Sequence, residues 1–158
     1  MSIARQLMLL LPTAIFWLGL DQWSKQWAAD HMAGHPPTTY GGILTLVYSQ
    51  NLGAWGSLGA SWPQPLRWML LSLMPALLLA GLAYQILRQP GKTRWDVLAC
   101  ALLLAGGLGN LIDRFRLGYV RDFLHLGYGP LGTNIFNVAD MVLMVGLGIL
   151  LAGHTRNR

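Results

Sequence analysis

Four aspartates, Asp21, Asp113, Asp122 and Asp140, lie at or just beyond the ends of long apolar runs, and the chain has only six acidic residues in all. Two of them sit in dense polar words, GNLIDR (Gly109 to Arg114) and FNVAD (Phe136 to Asp140). A carboxylate in or near hydrocarbon costs roughly 2.5–3.5 kcal/mol on insertion scales, so its default reading is functional, with a partner. Two carboxylates facing each other in a partly dry cleft cannot both ionise readily, and one keeps its proton. Such a pair can do aspartic-protease chemistry. One Asp activates a water molecule while the other protonates the carbonyl oxygen and later the leaving amine.

Spacing groups these residues with others. Asp21 and Lys25 are separated by four residues, share a helix face and can form an ion pair that fixes a helix end. Asn110, Asp113 and Arg114 also share a face. Their pattern fits a functional site and, equally, a helix-packing site whose amide and ion pair satisfy one another. Gly106, Gly107 and Gly109 just before them would let a neighbouring helix or a substrate chain come close to the backbone. Asn137 and Asp140 stand in the first turns of the last apolar run, where a lone Asp can serve as a cap or dipole partner. The apolar neighbours Phe136 and Val138 argue for membrane depth and therefore for function. Asp140 is expected about five residues into its helix, roughly 7–8 Å down by helical rise. Asp122 is expected in a loop beside Phe123, either simply solvated or returning to face Asp140. Spacing alone would pair Asp113 with Asp140.

Other chemistries fit poorly. The single cysteine, Cys100, lies inside an apolar run and offers neither a disulfide framework nor a thiol redox pair. The net charge of +5 comes from singly scattered basic residues, without the clustered basic and aromatic side chains of a nucleic-acid surface. His31, His35, His125 and His154 show no metal-ligand spacing, no serine has a base at suggestive spacing, and no glycine-rich phosphate loop follows a strand. No metal and no cofactor are expected.

The elements that must carry the site follow from hydropathy. At 54% hydrophobic and 11% charged residues, the chain is too apolar for an ordinary soluble domain. Apolar runs at about 6–28, 66–86, 95–112 and 135–152 predict four spanning helices in one domain over 1–158, with outer loops at about 30–65 and 114–134. About 20 residues cover a hydrocarbon core of about 30 Å. The first run continues helically through Asp21, Gln22 and Lys25 without a small-residue cleavage site, so it is expected to be retained. Arg5, Arg88, Lys92, Arg94, Arg156 and Arg158 mark one side, against Lys25, Arg67, Arg114, Arg116 and Arg121. The positive-inside rule then puts both termini in the cytoplasm. An up-down-up-down path brings all the unusual polar residues to the outer face. In the first outer loop ILTLVYSQ predicts a short strand pair or small sheet at the membrane surface, and Trp55, Trp62 and Trp68 suit an interfacial belt.

Asp21-Gln22 with Lys25, Asn51-Leu52-Gly53-Ala54, GGLGNLIDR, VRDF and FNVAD, in this order, resemble the bacterial lipoprotein signal peptidases (signal peptidase II). The resemblance covers the whole four-span layout and implies four transmembrane helices, a small extracytoplasmic β-cradle and a short outer helix. It implies an aspartic endopeptidase of the bacterial inner membrane, acting as a monomer. That enzyme cleaves lipid-modified prolipoproteins before the diacylglyceryl cysteine, among membrane lipids, and is inhibited by globomycin-like cyclic peptides. It places the catalytic pair on Asp122 and Asp140, moving the assignment away from Asp113. It assigns substrate contacts to Asn51, Asn110, Arg114 and Asn137, with Asp21, Lys25, Gly53 and Asp113 supporting. Three residues depart from the usual pattern: Trp55 directly after Ala54, Arg121 before Asp122, and Met141 after Asp140. These departures bear on substrate preference. A proton- or cation-linked transporter is the rival reading, but it predicts acids spread through membrane depth. A scaffold whose polar residues only glue helices is the second rival.

Overall fold

The structure, a computed structural model, describes residues 1–156. Arg158, one of the residues used for orientation, lies outside the described residues, as do the side chains of His154 and Arg156. The chain is mostly helical: α1 (Ile3–Met32), α2 (Gln64–Arg88), α3 (Arg94–Leu117) and α4 (Val138–Arg156). The first three are long and apolar enough to cross a membrane, while the apolar part of α4, Val138–Gly153, is shorter.

Helix ends follow hydrogen bonding rather than hydropathy, and they differ from the expected spans for that reason. α3 starts at a capping box, in which Thr93 Oγ1 accepts from the Asp96 amide and Asp96 accepts from the Thr93 amide. It runs five residues past 112 and stops at Gly118, whose φ of +82° is a left-handed C-cap suited to glycine. α4 begins at Val138 rather than 135, because Phe136 is first paired with a strand. In α2, Pro75 has no amide hydrogen for the ladder. The helix widens into a π turn over Met69–Leu73, and the Met74 amide reaches Met69 O.

α3 is the central helix. It is 61% buried over its apolar window against 11% for α1 and α2, and it packs on α1, α2 and α4. Small residues make the closest approach possible. A side chain at Gly106 would meet Ala139 O of α4 at 2.5 Å, one at Gly107 would meet Leu79 of α2, and one at Gly109 would meet the Asp21 carboxylate. The glycine run therefore serves helix packing. Cys100 is buried here with Leu10, Ile86, Val97, Ala101 and Leu104.

The two outer loops build one antiparallel sheet in the order β1 (Thr38–Tyr40), β2 (Leu44–Asn51), β3 (Val120–Tyr128), β4 (Leu131–Gly132). The expected strand pair within the first loop is present. Asp122, however, is not in a loop: it lies on β3, opposite Ser49 of β2. The separate outer helix reduces to one 3-10 turn at Trp55–Ser57. Trp55 and Trp68 are exposed, whereas Trp62 is partly covered and packs over Gly59.

Candidate active site

Strand pairing delivers Asp122. Successive residues of β3 point to opposite faces, so Arg121 and Asp122 part company. The register Asn51↔Val120 and Ser49↔Asp122 sets Asn51 diagonal to Asp122 on one face. Asn51 Nδ2 donates to Asp122 Oδ2 at 3.0 Å, while its Oδ1 accepts from the Gly53 amide at 2.9 Å in a tight local turn. A bridge between Leu124 and Phe136 then lays the chain before α4 along β3. That bridge is what brings the start of α4 to Asp122.

Asn137 and Asp140 form the N-terminal cap of α4. Asp140 N–H donates to Asn137 Oδ1 at 3.0 Å, and Asn137 N–H donates to Asp140 Oδ2 at 3.2 Å. This is a capping box built from Asn and Asp. Asp140 is therefore the third helical residue, shallower than the fifth expected. The cap role and proximity to a second carboxylate coexist, because each oxygen has its own partner. The other oxygen, Oδ1, accepts from Asn110 Nδ2 at 2.8 Å. Asn137 Nδ2 reaches the other acid, donating to Asp122 Oδ1 at 2.7 Å. One asparagine thus links Asp122 to Asp140.

Below the pair lies a buried polar layer. Lys25 is wholly buried, 2.9 Å from Asp21 Oδ2 and 2.9 Å from Asn110 Oδ1. Asn110 Oδ1 also accepts from Asn137 Nδ2 at 3.2 Å, so its carbonyl is fully used and its amide nitrogen must face Asp140. Asp21 Oδ1 accepts from the Ala139 amide at 2.8 Å, one of the free N–H groups in the first turn of α4. The expected pairing of Asp21 with Lys25 is present within α1, and the Ala139 amide bond to Asp21 ties α1 to α4.

An ion pair between Asp113 and Arg114, one of the two readings their spacing left open, does not form. Asp113 takes Arg121 instead, at 2.7 Å, because α3 carries Asp113 directly beneath β3. Arg114 turns the other way and donates to Gly53 O at 2.9 Å, clamping the Asn51–Ala54 turn. Gly53 must stay glycine, since a side chain there would meet Ser57 and Leu58 main-chain atoms at 2.5–2.6 Å. All ten residues singled out from the sequence converge on one region. Arg121, Gln22 and Gln26 also belong to it. The position of Arg121 next to Asp122 and the place of Gln22 in the Asp21-Gln22 word hinted at this, whereas Gln26 carried no signal.

Asp122 is 2% exposed and Asp140 half-buried. Burial, helped by the neighbouring Asp140 charge and opposed by the Asn51 and Asn137 hydrogen bonds, raises the Asp122 carboxyl from 3.8 to about 6. A cavity of about 440 Å³, lined by Asn51, Ser49, Ser57, His125 and Asn134 among others, opens onto Asp122 from the sheet side. Because its folded value is the higher one, Asp122 holds a proton that the unfolded chain releases between pH 3.8 and about 6. Its stabilising contribution is complete below that window and lost as the pH climbs through it. The loss amounts to about 3 kcal/mol at neutral pH. Melting temperatures of wild type relative to Asp122→Asn should therefore fall between pH 4 and pH 6. A flat difference would contradict the buried, raised carboxyl.

Known proteins resemble this chain in sequence and in fold. Residues 13–156 match the family model described as "Signal peptidase (SPase) II". A lipoprotein signal peptidase of Streptococcus pyogenes serotype M1 is 38% identical over 138 residues, covering 87% of this chain and 86% of its own. One from serotype M6 is 39% identical over 139 residues with the same coverage. A bacterial membrane enzyme solved by the in meso method at 2.3 Å superposes with a TM-score of 0.80 at 25% identity, covering 93% of this chain and 87% of the other. Another, at 1.9 Å, gives 0.78 at 26% identity, covering 94% and 93%. With residues 13–156 matched by the family model and 38% identity to a named relative over 87% of its length, the chain belongs to the signal peptidase II family of membrane peptidases.

Proposed function

We propose that Asp122 and Asp140 are the catalytic dyad of this peptidase. In this reading it hydrolyses the peptide bond just before the diacylglyceryl-modified cysteine of a prolipoprotein. The observation that carries the reading is the Asn137 bridge, which donates to Asp122 Oδ1 and accepts from the amide of Asp140. Charge supports it as well. Asp21, Asp113, Asp122 and Asp140 are set among Lys25, Arg114 and Arg121, four negative groups against three positive, so one added proton neutralises the cluster. Unbalanced buried charge is costly, which favours holding that proton on the dyad.

The steps follow from two carboxyls sharing one proton. The ionised member takes a proton from water as the water oxygen bonds to the scissile carbonyl carbon. The protonated member gives its proton to the carbonyl oxygen, forming a tetrahedral intermediate. Collapse breaks the C–N bond: the departing amine receives the proton taken from water, and a hydroxyl of the intermediate returns its proton to the other aspartate as the carbonyl re-forms. Asn51, Asn110, Asn137 and Arg114 position the dyad and the substrate backbone.

In the same reading all four helices span the inner membrane as a single domain over 1–158, with α4 the shortest span. Both termini face the cytoplasm, on the side marked by Arg5, Arg88, Lys92 and Arg94. The dyad then meets substrate at the outer face, lipid tails of the substrate share the hydrocarbon with membrane lipids, and one copy of the chain suffices. The test is mass spectrometry of a diacylglyceryl-modified precursor peptide incubated with the purified protein in bilayer discs. The expected product begins at the lipid-bearing cysteine, and a globomycin-like cyclic peptide suppresses it. Cleavage elsewhere, or equal cleavage of the unlipidated peptide, would overturn the substrate assignment.

A further inference from the structure

Among the three departures from the family pattern, Trp55 and Met141 are exposed, but Arg121 is buried at 6% exposure. Its guanidinium passes beneath the sheet to α1 and α3. Nε donates to Asp113 Oδ2 at 3.1 Å and Nη2 to Asp113 Oδ1 at 2.7 Å, a two-pronged grip on both oxygens. The Arg121 main-chain N–H adds a third bond to Asp113 Oδ2 at 3.0 Å, one peptide before Asp122. Nη1 donates to Gln26 Oε1 at 3.1 Å and Nη2 to Gln22 Oε1 at 3.4 Å.

The occupancy of Asp113 decides what Lys25 does. Lys25 stands 3.7 Å from Asp113, against 2.9 Å from Asp21 and 2.9 Å from Asn110. With Asp113 already neutralised, the lysine is left to hold the Asn110 carbonyl, and the Asn110 amide nitrogen then has to face Asp140. Resting on the dyad reading above, we infer that Arg121 is a positioning residue. It anchors the strand carrying Asp122 and, through Asp113, Lys25 and Asn110, orients the hydrogen bond to Asp140.

Removing Arg121 leaves Asp113 a buried carboxylate competing for Lys25, and takes one positive charge from beneath the dyad. The charged and titratable groups around it are Asp21 and Lys25 of α1, Asp113 and Arg114 of α3, Asp140 of α4, Asp122 of β3, and the phenols of Tyr48 and Tyr119. Tyr48, pushed up to about 12 by burial and its bond to Tyr119, does not titrate in the working range. Fewer cations favour protonated carboxyls, so the pH–kcat profile should move to higher pH.

The experiment measures kcat and KM against pH on the lipid-modified peptide for wild type, Arg121→Met, Arg121→Lys and the double variant Asp113→Asn/Arg121→Met. Arg121→Met is expected to move the profile up by about 0.5 to 1 unit. It should also lower kcat about tenfold with KM within about twofold, a pattern of lost transition-state positioning. Arg121→Lys should keep the profile in place at reduced kcat, because it retains the charge without the fork. The double variant restores the charge balance and should return the profile to the wild-type position. A folded Arg121→Met protein with the wild-type profile would overturn the inference, whatever its total activity. Should Arg121→Met not fold, the double variant carries the comparison, and an upward-shifted profile there would overturn it. Full activity of Asp122→Asn or Asp140→Asn would instead remove the dyad reading beneath it, a separate failure.

Discussion

Asp140→Asn should lower kcat on the lipid-modified precursor by at least about 10³-fold and leave a folded, membrane-inserted protein. The two effects separate because of how Asp140 is held. Asn has the same shape, and its one remaining oxygen can accept from Asn110 Nδ2 or from the Asn137 amide, though not from both as the carboxylate does. The site is half-buried, so losing one of those bonds costs only about 1 kcal/mol. What the amide cannot do is carry the proton on which hydrolysis depends. Asp122→Asn should be equally inert but less stable. Both Asp122 oxygens accept from N–H donors, Asn51 and Asn137, and a new NH₂ group there would face a donor. A buried mismatch of that kind costs roughly 1–3 kcal/mol. Turnover by purified Asp140→Asn within about tenfold of wild type would dismiss Asp140 as a member of the dyad.

The second large effect concerns stability. Lys25→Met should destabilise the protein by roughly 3–5 kcal/mol, because it strands charge that has no access to water. Methionine fills nearly the same space, so the loss is electrostatic rather than steric. Without the ammonium, Asp21 keeps only Gln22 and the Ala139 amide, and Asn110 Oδ1 loses one of its two donors. For a chain of this size the melting temperature should fall by something on the order of 10 °C. The double variant Asp21→Asn/Lys25→Met should lose less than the single one, because an uncharged amide needs no counter-ion. Thermal unfolding in detergent micelles reads both. A Lys25→Met protein that melts within about 2 °C of wild type would show that the buried pair is dispensable to the fold.

Lys25 and Arg121 mark how far the residues could be followed along the chain. The Asp21–Lys25 pair was legible because it is local: four residues of helix fix its geometry. Hydropathy likewise exposed the four apolar runs, and the words containing Asn110, Asp113, Asn137 and Asp140 fell at their ends. Asp113 was another matter. Helical spacing offered Arg114 as its partner, but the partner comes from a strand that leaves the helix through the left-handed turn at Gly118. Nothing local distinguishes these two arginines. The same holds for the Gln22 and Gln26 carbonyls, which accept from an arginine about a hundred positions away.

Composition and pattern by themselves determined that this chain is a membrane protein with its unusual polar groups gathered at one end of its helices. Those properties follow from hydrophobic burial and helical period, which are additive along the chain. Only the tertiary structure decided that Asp122 rides on a strand, that the Leu124–Phe136 bridge carries Asn137 to it, and that Asn137 links it to Asp140. These facts depend on strand register between two distant loops, a non-local choice made when the sheet closes over the helix ends.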